Sequence, residues 1–282
     1  MNEAQQLLRQ AQWRIIDQTG LGPQFGALQS FGIDDTLCAS VGTGLAPATA
    51  RAWVHHKTIV LGIQDTKLPH LKDGLQFLKE QGYSYIVRNS GGLAVVLDEG
   101  VLNLTLVLPE KDRGIEINRG YEAMFLLIKQ MFADFSEAGH EIEAYEIAES
   151  YCPGSYDLSI AGKKFAGISQ RRLKNGVAVQ IYLCVTGSGA KRAEIIKDFY
   201  EKSKKGEQTK IKYPNINPNV MASLSELLGV NISVADCLLR FLKSIKEFGG
   251  QINSGQLTQQ EIPLFSDYYD RVVERNHKML TT

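Results

Sequence analysis

Two residues of this 282-residue chain have the types and spacing for nucleophilic chemistry. Cys152 lies in the turn-forming run Tyr151-Cys152-Pro153-Gly154-Ser155, and Lys164 follows twelve positions later. A thiol in a Pro-Gly turn beside a strand can stay partly exposed and meet a substrate. The Ala161-Gly162-Lys163 stretch reads as a hairpin turn, which carries Lys164 back alongside the segment after the cysteine. A lysine next to a thiol favours the thiolate, or accepts its proton when burial weakens the ammonium. Each residue also has an ordinary role. A free cysteine is usually a small buried hydrophobe, and Cys38, Cys184 and Cys237 fit that role. A hairpin lysine is usually solvated, as expected for Lys163.

A second constellation precedes it. Arg88-Asn89-Ser90-Gly91-Gly92 offers a fixed cation, small donors and two glycines without Cβ. Such a segment lets backbone N–H groups come close to a ligand. Two apolar, β-prone runs follow, Leu93–Leu97 and Leu102–Leu108, and read as neighbouring strands with a turn at Asp98–Gly100. On periodicity alone this is a glycine turn feeding a hairpin. Asp98 accordingly fits a turn former as well as a ligand-binding residue.

The remaining elements must position these groups. Trp13–Asp17 reads as a first strand, Phe25–Val41 as a short helix weakened by glycines, and 50–54 and 58–62 as two strands around His55-His56-Lys57. Leu71, Leu75 and Leu78 make an amphipathic stripe on a helix over 67–81, which stops at Gly82 and feeds a strand over Tyr83–Val87. A charged loop over 110–117 leads to a helix capped by Asn118 and running to about Ala138, with Gly139 beyond its end. Its aromatic stripe of Tyr121, Phe125, Phe132 and Phe135 is at helical spacing and reads as core. Strands are expected after Pro153, over 164–169 and over 177–185, and a helix over 189–205 with a lysine-rich last turn. Residues 207–219 read as a linker, followed by helices over 220–228, 233–248 and 261–278. The fold class is α+β: a mixed β-sheet flanked by helices, with C-terminal helices. The expected division is a catalytic domain over 1–206 and a C-terminal helical extension, 207–282, packed on it.

Composition excludes several function classes. Lys+Arg and Asp+Glu both number 31, so the formal charge is zero and no basic excess supports nucleic-acid binding. The polar opening Met1-Asn2-Glu3-Ala4-Gln5-Gln6 lacks a signal peptide's apolar region, and no apolar run approaches the ~20 residues of a membrane helix. The four cysteines show neither zinc-ligand spacing nor a disulfide pattern. A soluble, cytoplasmic protein without a metal is expected.

Taken in order, Arg88, Ser90-Gly91-Gly92, Asp98, Gly100 and Leu102-Asn103 resemble the R-x-S-G-G…D-x-G-x-L-N signature of the biotin/lipoate protein ligase and octanoyltransferase superfamily. Asp157-Leu158, Gly162-Lys163-Lys164 and Gly167 resemble its second motif, D-L-x-x-x-G-K-K-x-x-G, in which the second lysine belongs to the active site. The resemblance covers roughly residues 13–185 and implies a biotin/lipoate ligase-like catalytic domain. Lys164 takes the place of the family lysine, and Cys152 that of the cysteine in the octanoyltransferase branch that uses a Cys/Lys pair. Gly92-Leu93-Ala94 and Tyr151-Cys152-Pro153-Gly154-Ser155-Tyr156-Asp157 look most like the octanoyl-[glycine cleavage H protein]:protein N-octanoyltransferases.

The resemblance implies transfer of octanoyl, or lipoyl, from the lysine of an octanoylated glycine cleavage H protein to the lysine of lipoyl domains of 2-oxoacid dehydrogenase E2 subunits, in lipoate biosynthesis. The catalytic residues would be Cys152 and Lys164, working through a cysteine acyl-thioester. Arg88, Ser90, Gly91, Gly92, Asp98, Asn103 and Gly167 would bind substrate, and neither cofactor nor metal would be needed. Three other functions are compatible with the residues. One is an octanoyl-acyl-carrier-protein:protein transferase with the same Cys/Lys pair. Another is an ATP-dependent lipoate ligase, but Leu93 replaces a third glycine and Val87 a second arginine, which makes a poorer phosphate cradle. The third is a non-catalytic lipoyl-domain binding module, for which loss of Cys152 or Lys164 would be the mark. Gln180-Ile181 stands where several relatives have His-Gly.

Overall fold

A computed structural model of the chain describes residues 3–110, 115–137 and 140–280. The charged-loop residues 111–114 and the helix stop at Gly139 lie outside the described residues. In chain order the elements are α1 (Glu3–Leu8), β1 (Gln12–Gln18), α2 (Ala27–Gly42), β2 (Thr49–Trp53), β3 (Thr58–Leu61), α3 (Leu71–Glu80), β4 (Ser84–Val87), β5 (Val95–Leu97) and β6 (Val101–Pro109). They continue with α4 (Ile117–Met131), α5 (Ala133–Glu137), β7 (Glu143–Ala144), β8 (Asp157–Ile160), β9 (Lys163–Leu173), β10 (Gly176–Cys184), α6 (Gly189–Lys204), α7 (Leu224–Leu228), α8 (Val234–Glu247), β11 (Gln251–Ser254) and α9 (Glu261–Leu280).

The strands form two sheets. The larger has the order β11-β1-β2-β6-β10-β9-β8-β7 and the smaller β4-β3-β5. Both are mixed: β11, β1 and β2 run parallel, the pairs from β2 to β7 antiparallel, and β3 pairs parallel with β4 but antiparallel with β5. The α+β class and the mixed sheet with flanking helices are therefore as expected. Helices α1, α4 and α8 bury one apolar face of the large sheet, including Leu102, Leu104, Leu106, Met124, Leu127 and Phe241. The small sheet packs with α3 and α6 around Leu61, Leu78, Val96, Ile196 and Phe199.

The runs 95–97 and 101–109 do not pair as a hairpin. β5 bonds to β3 in the small sheet, whereas β6 lies between β2 and β10 in the large one. The reason is visible in the register. Trp53 stands opposite Asn103, and Thr58 opposite Leu97. The segments 53–58 and 97–103 thus run side by side as one antiparallel ribbon that bends from the large sheet into the small one. At the bend Gly100 N–H donates to Asp98 Oδ1 (2.9 Å), and His56 Nδ1 lies 2.9 Å from Glu99 Oε1, joining the two crossings. Both runs are buried on both faces, so alternation carried no sign that the chain changes sheets.

Other elements differ in extent. The 25–41 helix is a full 16-residue element, buried on nearly all sides between the large sheet and α9. α4 starts at Ile117 with Glu116 as its cap, so Asn118 sits inside the first turn, and α4 ends at Met131 before the separate α5. The helix expected over 220–228 begins at Leu224, capped by Ser223. β11 lies where the sequence suggests only helices; Gln251-Ile252-Asn253-Ser254 is a largely exposed edge strand and carries no hydrophobic alternation. It follows Gly249 and Gly250, both at positive φ, and extends the large sheet beside β1.

Candidate active site

A cavity of about 290 Å³ opens between the two sheets. Its floor follows a single register row across the large sheet: Asp157 on β8 stands opposite Gly167 on β9, then Tyr182 on β10, Asn103 on β6 and Trp53 on β2. All five line the cavity. Successive strands are about 4.8 Å apart, so the row is about 19 Å long. Val60, Val95 and Leu97 of the small sheet form the opposite wall. A Cβ at position 167 would come within 2.9 Å of the Tyr182 ring. The bare glycine lets that ring lean over β9 and stack on Tyr151, with centroids 5.9 Å apart.

Cys152 lines the cavity beside Asp157 and is half-buried, whereas Cys38, Cys184 and Cys237 are fully enclosed. Burial pushes the Cys38 and Cys237 thiols up to about 12 and raises that of Cys184, in keeping with their reading as small hydrophobes. The backbone at Cys152 is left-handed, φ 47°, which a non-glycine residue adopts only when its surroundings hold it there. Its sulfur accepts from Leu93 N–H at 3.2 Å and from the Arg88 guanidinium (Nη2) at 3.3 Å. The same Arg88 nitrogen donates to Leu93 O at 2.6 Å. Arg88, the loop and the sulfur therefore form one cluster. Gly92 makes it possible: at φ 99° it needs a glycine, and a Cβ there would come within 2.3 Å of the guanidinium and 3.0 Å of the sulfur.

Lys164 is not the solvated lysine of a hairpin tip. Its side chain is fully buried and its ammonium has four oxygen neighbours: Asp157 Oδ1 at 2.8 Å, Cys152 O at 2.9 Å, Tyr151 O at 3.0 Å and Ser150 Oγ at 3.1 Å. It grips the backbone of the cysteine turn from below. Lys163, one residue earlier, is exposed as expected. Asp157 fastens the other side of the turn, accepting from Ile147 N–H (3.1 Å) and Gly154 N–H (3.2 Å). Burial raises the Asp157 carboxyl above its usual range, against the pull of Lys164 and these N–H groups.

Arg88, Ser90, Gly91, Gly92, Asn103 and Gly167 line the cavity together with Cys152. Asp98 does not. It points away from the cavity and forms two 2.7 Å bonds with Arg192, which also donates to Thr186 O. Its place in the motif is at the ribbon's bend. Sequence reasoning gave no role to Asp157, Tyr182, Leu93 N–H or Ser150. Asp157 stood first in a quoted motif, and that was its only signal; the others depend on strand register and backbone geometry. Ser90 Oγ and Tyr182 OH are buried without a partner among the described residues.

Behind the floor lies a buried polar network. Arg51 bonds Gln18, Ser30 and Asp34 and sits 5.1 Å over the Trp53 ring, while Asp34 also accepts from Gln180 and Thr105. Gln180 thereby ties β10 to α2. His55 is lowered to about 3 by burial and by Arg51, so it is neutral between Phe25 O and Ser30 Oγ. Among the described residues no group of three or more His, Cys, Asp or Glu could hold a metal ion.

The family model of the lipoyl protein ligase A/B catalytic domain matches residues 27–246. The chain belongs to that family. Its architecture agrees: a lipoate-protein ligase A solved with ATP superposes with a TM-score of 0.65 at 16% identity, covering 93% of this chain and 95% of that one. A putative lipoate protein ligase from T. acidophilum with bound lipoic acid gives 0.63 with the same identity and coverage. Similarity is much higher to proteins of the transferase branch. The chain is 58% identical, over the whole of both chains, to a lipoyl-[GcvH]:protein N-lipoyltransferase of Listeria monocytogenes. It is 57% identical to an octanoyl-[GcvH]:protein N-octanoyltransferase of Bacillus velezensis, covering 98% of this chain and 96% of that protein, and 55% identical to one from Geobacillus kaustophilus, over 98% and 96%.

Proposed function

We propose that this family member is an acyltransferase that moves octanoyl from the lysine of octanoylated glycine cleavage H protein to the lysine of lipoyl domains of 2-oxoacid dehydrogenase E2 subunits. The observation that carries the proposal is Cys152. It is the one cysteine of the chain at the cavity, it is held in a left-handed turn, and a cation and an N–H point at its sulfur. The names of the H-protein-dependent relatives supply the donor.

In this mechanism the Cys152 thiolate attacks the carbonyl of the donor's octanoyl-lysine amide. A C–S bond forms, the C–N bond breaks, and the donor lysine leaves as an amine after taking up a proton. The acceptor lysine amine then attacks the thioester, forming the new C–N bond, releasing a proton that balances the one taken up by the donor amine, and returning the electron pair to sulfur. One amide exchange is thus divided into two easier steps. Arg88 and Leu93 N–H hold the sulfur's negative charge before attack and on its release. Lys164 acts from beneath, fixing the Cys152 carbonyl and the turn and placing its positive charge under the nucleophile. The apolar wall of Val60, Val95 and Leu97 takes the acyl chain. Ser90 and Asn103 provide polar contacts along the same slot.

The proposed site of action is the cytoplasm; no described helix is long and apolar enough to cross a membrane. A second acyl group, lipoyl, is favoured by the name of the Listeria relative. The test is intact mass after incubation with octanoylated or lipoylated H protein in the absence of ATP. Wild type should gain a hydroxylamine-labile octanoyl adduct that passes to added lipoyl domain, and Cys152→Ala should gain none. A labile adduct only from the lipoylated donor assigns the lipoyl reaction; an unimpaired Cys152→Ala refutes the cysteine mechanism.

A further inference from the structure

β4 is an edge strand of the small sheet, paired on one side only with β3. Val87, its last residue, is fully buried, so its outward-facing N–H and C=O need partners away from water. Both find them in one side chain. Val87 N–H donates to Asn276 Oδ1 at 2.7 Å, and Asn276 Nδ2 donates to Val87 O at 2.8 Å. The amide of α9 substitutes for the missing neighbouring strand, and its second N–H proton bonds Val272 O at 3.1 Å within its own helix. The next residue in the chain is Arg88. Its own N–H is held by Leu61 O, and its guanidinium reaches Leu93 O and the Cys152 sulfur.

α9 is firmly seated. Gly32 of α2 lies so close that a Cβ there would be 3.2 Å from Tyr269 Cα, and Glu261 at the start of α9 makes a buried bidentate pair with Arg14. Asn276 is itself buried, and its helix lies beyond residue 246, where the family-domain match ends.

We propose that Asn276 is a positioning residue for the active site: it fixes the exit of β4 and so aims Arg88 at the sulfur of Cys152. The catalytic consequence rests on the acyl-thioester reading above, but the aim of Arg88 does not.

Two readouts separate these statements. The first is the ratio of Cys152 alkylation rates with iodoacetate, an anion, and iodoacetamide, its neutral counterpart, with the other cysteines monitored by peptide mass. The guanidinium attracts only the anion, so the ratio reports its place at the sulfur. In Asn276→Ala the ratio should fall about tenfold, toward the value of an Arg88→Gln control, as expected when a buried hydrogen-bonding partner is withdrawn. Asn276→Asp keeps the acceptor for Val87 N–H but sets an oxygen against Val87 O. It provides a second variant if alanine prevents folding, and should give an intermediate ratio. The second readout is octanoyl transfer from H protein, where kcat should fall with the KM for donor unchanged. An unchanged ratio in both folded variants overturns the proposal. A lowered ratio with undiminished transfer upholds the positioning of Arg88 and overturns its catalytic consequence, whereas the acyl-thioester reading itself falls only if Cys152→Ala transfers unimpaired.

Discussion

The sulfur of Cys152 and the ammonium of Lys164 are coupled through the peptide carbonyls between them rather than by direct contact in this structure. Lys164 directs its hydrogen bonds to the turn's oxygens and to Asp157, and its side chain is fully buried. Removing one partner of a buried ion pair strands the other, a loss of about 3–5 kcal/mol. Lys164→Met should therefore lower the unfolding free energy by about that amount in denaturant titrations. Adding Asp157→Leu should recover much of it without restoring acyl transfer. Recovery of transfer in the double variant would mean that neither residue has a part in the chemistry. At this scale the sequence revealed which residues gather at the cavity, because Arg88, the glycines and Cys152 are marked by type. It did not reveal which atoms touch: that Arg88 reaches the sulfur while Lys164 holds a carbonyl follows from backbone angles at Gly92 and Cys152, which residue type does not specify.

Among the elements, the loop from Arg88 to Ala94 depends on supports from several directions. Asp65 accepts from Gly62 N–H at 2.7 Å and from Tyr200 OH at 2.8 Å, and that hydroxyl in turn accepts from Ala94 N–H at 3.3 Å. Burial raises the Asp65 carboxyl to about 6 despite these bonds. Gly62 itself lies against the loop, where a Cβ would come within 1.9 Å of Gly92 O, a backbone atom with little freedom to yield. Gly62→Ala should cost about 1–3 kcal/mol through overpacking, read as a lowered Tm. Because the displaced atoms neighbour Leu93 N–H, it should also slow formation of the Cys152 adduct; an unchanged adduct rate would show that the loop accommodates the methyl without moving Leu93 N–H from the sulfur. Periodicity identified α3, α6 and α8, each with a polar face to contrast with its buried one. It located β5 and β6 as strands but not their pairing in different sheets, because their residues are apolar in both directions, and it missed β11, whose residues are mostly polar and whose strand conformation is imposed by β1.

For the whole molecule, the salient electrostatic tie is that between the first strand and the last helix. Burial pushes the Glu261 carboxyl up, but Arg14 and Thr258 N–H more than offset this and hold it at about 2. A carboxyl lowered on folding adds stability that is present above its unfolded value near 4.5 and is lost as pH falls toward 2. The difference corresponds to about 3 kcal/mol. Between pH 5 and pH 2 the wild type should thus lose about 3 kcal/mol more unfolding free energy than Glu261→Gln, in denaturant titrations at each pH. Parallel losses would place the acid sensitivity elsewhere. The sequence foretold the class of fold from its alternation of strands and helices. The closure of the molecule, with its C-terminal segment bonded to its first strand, its second helix and β4, arises from contacts between residues more than two hundred positions apart, or nearly so, which no local pattern records.

The bent ribbon makes the molecule resemble an open book. The large sheet is one cover, the small sheet the other, and residues 54–57 and 98–100 form the spine, stitched by His56 and Glu99 and clasped from outside by Arg192 on Asp98. The page between the covers is the cavity, where the proposed acyl slot lies. Its gauge is accordingly set at the binding edge, remote in chemistry from the thiol, so the thickness of what is admitted and the rate at which it reacts are properties that substitutions can alter separately.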